Sequence, residues 1–426
     1  MQEQLLQFIW RFQYFNSQEL CVETGEPLQI LSPGEINTCQ GPDFLGAGIR
    51  IGNISWVGNI ELHVYASDWK KHAHEDDPLY SNIILHVVWE NDQPELRHIP
   101  VLVLQHRVPK LLLGKYGEWM RKPLFVACER QALEAGKGVW AAWKHELLGQ
   151  RLQRKAIYIE TCLRQNDRHW EETTWWLLAR NFGLSVNGRS FEAIARSLPL
   201  HILARYRGQA ERLEALLLGQ AGLLQGDFKE EYPKFLQREF RYFQIKYQLS
   251  PIHQPILFLR MRPGNFPSVR LAQLAGLLSG TSSWFARIKE ADSPAALKDT
   301  MACTASSYWD RHHVLEDRSS FRIKRVGAKM KSSLIINTCV PLLFAYGLLR
   351  GEKAFLDKAF RWLEQTPPES NGPIAGWARL GVDNLHAADS QALLELKGQY
   401  CKAKKCLTCA IGNILLGRTL RSAAGG

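Results

Sequence analysis

Asp43 and Glu61 are the residues whose type and setting in this chain best suit chemistry. Asp43 sits in Gly41-Pro42-Asp43-Phe44, and Glu61 in Ile60-Glu61-Leu62-His63. Two carboxylates held together repel, and a divalent cation is the natural way to stabilise such a pair. Hard oxygen ligands suit Mg²⁺ or Mn²⁺, which lower the pKa of bound water and clamp a phosphate in transit. The chemistry this points to is metal-dependent phosphodiester hydrolysis.

Two other groups of residues compete for attention. His63, His72, His74 and His86 fall close together with Asp68 and Asp76 among them. His72-Ala73-His74 is a common imidazole metal pair, so a zinc hydrolase is a rival reading beside a plain polar helix. His86 lies inside the apolar run Ile83–Val88 and reads as a core or rim histidine unless its face coincides with that of His63. Near the C-terminus, Cys401, Cys406 and Cys409 are spaced for a chelate among Lys402, Lys404 and Lys405, whose charges favour thiolates. Three thiols fall one short of a closed zinc or iron–sulfur site, and His386 or Cys339 is a candidate fourth ligand. A redox pair or buried thiols are the alternatives.

The elements that must position these groups follow from periodicity. A helix built on Leu5, Ile9, Phe12 and Phe15 comes first. Strands are expected over Leu28–Leu31, Ala47–Ile51, Ser55–Tyr65, Asn82–Trp89 and Ile99–Leu104, separated by Gly, Pro and Asn. Trp56, Gly58, Ile60, Leu62 and Val64 alternate onto one face of the long strand, which leaves Asn59, Glu61, His63 and Tyr65 on the other. Glu61 and His63 therefore point the same way. A hairpin turning near Gly52-Asn53 can bring Asp43, at the start of the preceding strand, beside Glu61. Ser67 suits a helix N-cap, so the following segment reads as a short helix or loop entering the site. After Glu129 the period turns helical, over Phe191–Ser197, Glu211–Leu218, Lys234–Tyr247, Val269–Leu278, Ser333–Leu349 and Glu352–Leu363. The expected class is α+β, with a mixed sheet and flanking helices in residues 1–130 and a mainly helical region in 131–426.

Composition narrows the partners. The 53 basic and 42 acidic residues give a net charge of +11, an excess that favours polyanions through counterion release. Arg318–Lys331 carries Arg322, Lys324 and Arg325 and is the best nucleic-acid patch. Arg260, Arg262 and Arg270 flank a Pro-Gly-Asn turn before a helix start that suits a phosphate. Lys144, Arg151, Arg154 and Lys155 recur at helical spacing and read as a solvated face able to track phosphates. Hydrophobic residues make up 46% of the 426, which is a globular composition. The longest apolar runs, Leu334–Ile336 and Val340–Leu349, are interrupted by Asn337, Pro341 and Gly347 and fall short of a membrane span. Glu3 stands where a signal peptide would be basic. The expectation is a soluble cytoplasmic chain whose nine cysteines are reduced thiols or metal ligands.

The order helix, three strands, helix, strand, with Pro-Asp and then Glu-x-His in place of Glu-x-Lys, resembles the PD-(D/E)XK nuclease superfamily. That resemblance implies Asp43 and Glu61 as ligands of Mg²⁺ or Mn²⁺, with the main chain at Leu62 as a further ligand. The usual lysine is His63 here, and Lys70 or Lys71 is placed to supply its charge. Without such a lysine the core would be a non-catalytic platform for DNA or RNA. The chain as a whole also resembles DUF2851, a family of uncharacterised bacterial proteins, through Gly41-Pro42-Asp43-Phe44, Glu61-Leu62-His63, Ser67-Asp68-Trp69 and Asn82–Val88. Glu214–Leu217, Arg262–Pro267, Asp389-Ser390-Gln391 and Tyr400-Cys401 carry it further. That family implies no activity.

Overall fold

The computed structural model describes residues 1–37, 40–72, 77–93, 99–121, 124–258, 261–281 and 283–423, with side chains as far as Gly417. It is α+β, and two compact units are distinct within it. Unit 1 comprises Met1–Trp143, Arg379–Val382 and Leu396–Gly426; unit 2 comprises Lys144–Ala378 and Asp383–Glu395. The change of period near Glu129 therefore falls inside unit 1, which also takes back the C-terminal segment.

Unit 1 opens with α1 (Glu3–Arg11), followed by β1 (Leu28–Ser32), the short β2 (Glu35–Ile36), β3 (Phe44–Ile51) and β4 (Ile54–Tyr65). After α2 (Asp68–Lys71) come β5 (Ile83–Glu90), β6 (Val101–Val103), α3 (Lys110–Arg121) and the start of α4 (Lys137–Arg164), whose residues from Lys144 onward belong to unit 2. The strands form one mixed sheet in the order β1-β3-β4-β5-β6, with β2 paired to β3. β3 pairs antiparallel with both β1 and β4, while β4, β5 and β6 are parallel. The β3–β4 hairpin turns at Gly52-Asn53, where Gly52 takes a φ of +55°, a value a glycine tolerates without steric cost. α1 buries Leu5, Leu6, Phe8, Ile9 and Trp10 and packs against β4. Both faces of β4 are thus covered at its centre, and Ile60, Glu61, Leu62 and His63 are all buried. Gly58 allows β5 to come close, since a Cβ there would lie 2.4 Å from Ile84 Cγ2.

Unit 2 is helical: α5 (Trp170–Phe182), α6 (Leu184–Ser197), α7 (Leu200–Ala204), α8 (Ala210–Gln220), α9 (Glu231–Tyr247), α10 (Pro267–Gly280), α11 (Trp284–Glu290) and α12 (Pro294–Thr300). A two-stranded ribbon, β7 (His312–Val314) and β8 (Asp317–Arg318), precedes α13 (Ala328–Leu334). α14 (Val340–Arg350), α15 (Lys353–Glu364), α16 (Gly372–Arg379) and α17 (Ala387–Glu395) follow, and α18 (Ala410–Ala423) closes the chain in unit 1. A π-helical turn over Ile335–Cys339 joins α13 to α14 just before Pro341, and Asn181 Nδ2 donates to the Asn337 carbonyl at 3.1 Å in the stretch where the proline has no N–H to offer. The apolar runs thereby become one continuous helix, Ala328–Arg350. By length and composition it is long and apolar enough to cross a membrane, and 67% of its most apolar stretch is buried within the fold.

Candidate functional site

The hairpin register alone does not bring Asp43 and Glu61 together. Next to the turn, Ile51 pairs with Ile54 and Ala47 with Gly58. Continued unbroken, that register would set Asp43 opposite Leu62, whose side chain leaves the other face of the sheet. A β-bulge at Leu45-Gly46 inserts one extra residue into β3, so that Phe44 pairs with Ile60 and Asp43 comes opposite Glu61. Gly46 takes a φ of +65°, and its N–H donates to Asn59 Oδ1 at 3.3 Å. A side chain at position 46 would meet no atom within 4 Å, so only the backbone conformation disfavours it. Gly46→Ala is expected to cost about 1–2 kcal/mol and Gly46→Asn less, because Asn visits the left-handed region more readily. Urea denaturation reads the order, and Gly46→Val matching Gly46→Asn in stability would contradict it.

The bulge locks the two acids by reciprocal bonds. The Asp43 amide donates to Glu61 Oε2 at 3.0 Å, and the Leu62 amide donates to Asp43 Oδ2 at 3.0 Å. Gln7 Nε2 of α1 donates to Asp43 Oδ1 at 2.8 Å. Glu3, one helical turn before Gln7, stands exposed on α1, and its charge acts on both acids. Burial, above all, pushes Asp43 up to about 6, with Glu3 adding to the rise against the Leu62 amide and Gln7. Burial likewise raises Glu61 to about 8, and the neighbouring Asp43 and Glu3 charges reinforce the effect. Burial and these same acids lift Tyr80 to about 12.

Three imidazoles continue from the acids. His63 Nε2 lies 3.6 Å from Glu61 Oε1 and 3.1 Å from His72 Nδ1, and His63 Nδ1 lies 2.9 Å from His86 Nε2. The parallel register of β4 and β5 pairs His86 with Glu61, so its face is that of His63. His63 and His86 are buried, whereas His72 is exposed at the end of α2. Trp69 covers this row with its ring centroid 5.1 Å from that of His86. The arrangement can exchange a proton between Glu61 and solvent along imidazoles, with the tautomers set by whichever partner donates.

Lys70 is exposed on α2, and Lys71 is engaged by Asp68 at 2.7 Å. His74 and Asp76 lie outside the described residues, as does Arg260. In unit 2, Arg262, Arg322 and Arg325 are exposed. Lys324 is instead buried with its Nζ on the Arg322 carbonyl, and Arg270 turns inward to Asn265 and Gln273. Lys324 thus withholds its charge from solvent, and Arg270 is half-buried. The expected solvated stripe of α4 also differs, since Arg151 and Lys155 are committed to Glu395, Asn337 and Gln391. Cys339 and His386 belong to unit 2, the former buried and the latter hydrogen-bonded to the Asp389 amide. Cys401, Cys406 and Cys409 sit in unit 1. Among the described residues, no three or more His, Cys, Asp or Glu side chains are gathered closely enough to hold an ion as they stand. The donor chemistry of Asp43 and Glu61 nonetheless suits a hard divalent cation, which would offset the burial, and then the neighbouring charges, that disfavour their ionised forms.

Sequence reasoning missed Glu3, Gln7, Trp69 and Tyr80. Glu3 and Gln7 carried one usable signal, a polar pair four residues apart on the helix that precedes the strands. No curated protein and no solved structure matches the chain. The profile described as Protein of unknown function (DUF2851) matches residues 3–372, and the chain belongs to that family.

Proposed function

We propose that this protein is a metal-dependent nuclease acting on DNA or RNA. The observation that carries the reading is the bulge-set opposition of two buried carboxylates, Asp43 and Glu61, each held by the other strand's amide. The element order α1, β1, β3, β4, α2, β5 supports it, being the order that the PD-(D/E)XK resemblance implies. Asp43 and Glu61 would hold Mg²⁺ or Mn²⁺. When bound, such an ion supplies an acidified water and charge stabilisation at the phosphate. Gln7 and the Leu62 amide fix the Asp43 carboxylate, and Glu3 adds negative charge at the entrance. His63 stands in the usual lysine's place and can take a proton at Nε2, relaying it towards His72. The exposed Arg262, Arg322 and Arg325 would neutralise phosphates.

End-labelled single- and double-stranded DNA and RNA, incubated with Mg²⁺ or Mn²⁺, test this. Cleavage should vanish with EDTA and fall roughly 10³-fold in Asp43→Asn, the several kcal/mol a metal ligand supplies. Binding should persist in that variant. Arg322→Ala with Arg325→Ala should weaken binding and reduce its salt slope by about 0.9 per lost contact on duplex DNA. Binding without cleavage under any metal would sink the nuclease reading and leave a nucleic-acid-binding platform. The imidazole row favours one second reading, a zinc hydrolase, for which stoichiometric zinc lost in His63→Ala would be the mark.

A further inference from the structure

Cys401, Cys406 and Cys409 have a fourth thiol, Cys128, as an electrostatic neighbour in unit 1, one that no spacing in the sequence reveals. Cys128 lies in the loop between α3 and α4, more than 270 residues earlier in the chain. Two lysines of the C-terminal segment tie it to that region of unit 1, Lys397 donating to the Phe125 carbonyl and Lys404 to the Met120 carbonyl. Lys115 Nζ of α3 also donates to the Leu415 carbonyl in α18 at 2.9 Å. Cys401 ends a π-helical turn, Leu396–Cys401, and Cys406 and Cys409 occupy the tight turn leading into α18. Cys406 and Cys409 are buried, and Cys128 and Cys401 are half-buried.

The thiols sense one another. Cys401 is acted on by Cys409, Cys128 and Cys406, Cys128 by Cys409 and Cys406, and Cys406 by Cys409, so every pair among the four interacts. Burial first, and these neighbours next, hold Cys128 and Cys406 up at about 12. The surroundings are nevertheless built to receive negative sulfur. The Ile411 and Gly412 amides at the start of α18 face Cys409, as does the indole of Trp143. Trp143 is 6% exposed, and its buried Nε1–H makes no full hydrogen bond, the Cys409 sulfur being the acceptor it faces. Lys397 and Lys404 bring positive charge towards Cys401 and Cys406. Gly412 lets α18 close over the turn, since a Cβ there would lie 2.3 Å from the Cys406 carbonyl oxygen.

We propose that Cys128, Cys401, Cys406 and Cys409 form a tetrathiolate site for a thiophilic metal centre, either Zn²⁺ or an iron–sulfur cluster. Binding forms one metal–sulfur bond per cysteine and releases each thiol proton to solvent, with no change of sulfur oxidation state. It draws the sulfurs inward onto the centre and turns the Cys409 sulfur that the Trp143 indole faces into a thiolate, a stronger acceptor. The site clips the C-terminal segment to the Cys128 loop within unit 1, which makes it structural and separate from Asp43 and Glu61.

The full-length protein, purified anaerobically, should contain about one zinc per chain, or iron and sulfide with visible absorbance for a cluster. Elemental analysis separates the two. Apo-protein should take up Zn²⁺, or iron with sulfide, and Cys128→Ser should lower the retained metal at least about 10-fold while Cys21→Ser leaves it unchanged. A readout on the unaltered chain guards against misfolding of the variant. With metal bound, maleimide should label Cys21 and spare the four cysteines, and chelator should expose them. Absence of both metals after purification and after reconstitution overturns the proposal. So does a full metal complement in Cys128→Ser, or labelling of all four thiols in the metal-loaded protein.

Discussion

In metal-free buffer, Glu61→Gln should be more stable than the unaltered chain at pH 9 by several kcal/mol, and close to it at pH 5. Glu61 rises from an ordinary 4.5 to about 8 in the fold through burial and the Asp43 charge. The folded state therefore binds a proton that the unfolded state has released, and stability falls as pH climbs from about 4.5 through 8. Asp43, raised to about 6, steepens the lower part of that window. Each pKa unit corresponds to about 1.4 kcal/mol, so the pair exceeds any exposed ion pair in its effect. Gln removes the charge and keeps an oxygen to accept the Asp43 amide. Mn²⁺ should act oppositely, stabilising the unaltered chain strongly at pH 8–9, little at pH 5, and Glu61→Gln hardly at all, because protons and the cation compete for the same oxygens. Urea denaturation at these pH values, with and without Mn²⁺, measures both. A flat pH profile for the unaltered chain would show that Glu61 does not carry the buried charge. Equal Mn²⁺ stabilisation of both proteins would remove Glu61 from the cation site.

Much of this site was legible because strand alternation is a local property. Glu61 and His63 share a face by parity, and the Gly52-Asn53 turn lies where the hairpin reading put it. Strand parity and a turn do not by themselves place Asp43 beside Glu61. A plain hairpin pairs Asp43 with Leu62, and the correction rests on Gly46, one glycine at positive φ in a strand. That glycine was visible, but a bulge depends on which residues the partner strand offers. His86 needed the register of a parallel pair, set by packing across a crossover, before its face could be known. Glu3 and Gln7 reach the site because α1 folds over β4, a tertiary event with no local signature. Cys128 and the Glu395 cluster failed for the same reason at greater range, since their partners lie hundreds of residues away in sequence. Basic residues at helical spacing look solvated until such partners appear.

Glu395→Ala should destabilise unit 2 by about 3–5 kcal/mol, as when one member of a buried ion pair is lost. Glu395 is 3% exposed and binds Arg151 Nη1 at 3.1 Å and Arg154 through its other guanidinium contact. Arg151 Nε also donates to Gln391 Oε1 at 2.6 Å, and Lys155 Nζ reaches Gln391 Oε1 and Asn337 Oδ1, both at 3.0 Å. Arg154 is half-exposed and recovers water when its partner goes, so most of the loss falls on Arg151 and Lys155. Burial above all, then the Arg151 and Arg154 charges, lower Lys155 to about 7, while Glu369 and Glu395 oppose the drop. A lysine depressed in the fold disfavours folding at low pH and regains stability as pH rises from about 7 through 10.5, where only the unfolded chain still holds the proton. At pH 6 the unaltered chain keeps Lys155 charged with Glu369 and Glu395 both favouring that charge, and the variant must either bury it with Glu369 alone or release the proton. At pH 9 Lys155 is neutral in both. The cost of Glu395→Ala should therefore be larger at pH 6 than at pH 9, and adding Lys155→Met should erase that difference while leaving the Arg151 part. Denaturant titration at the two pH values decides it. A loss below about 1 kcal/mol would show that water replaces Glu395 without penalty, and equal losses at both pH values would show that Lys155 does not feel its charge.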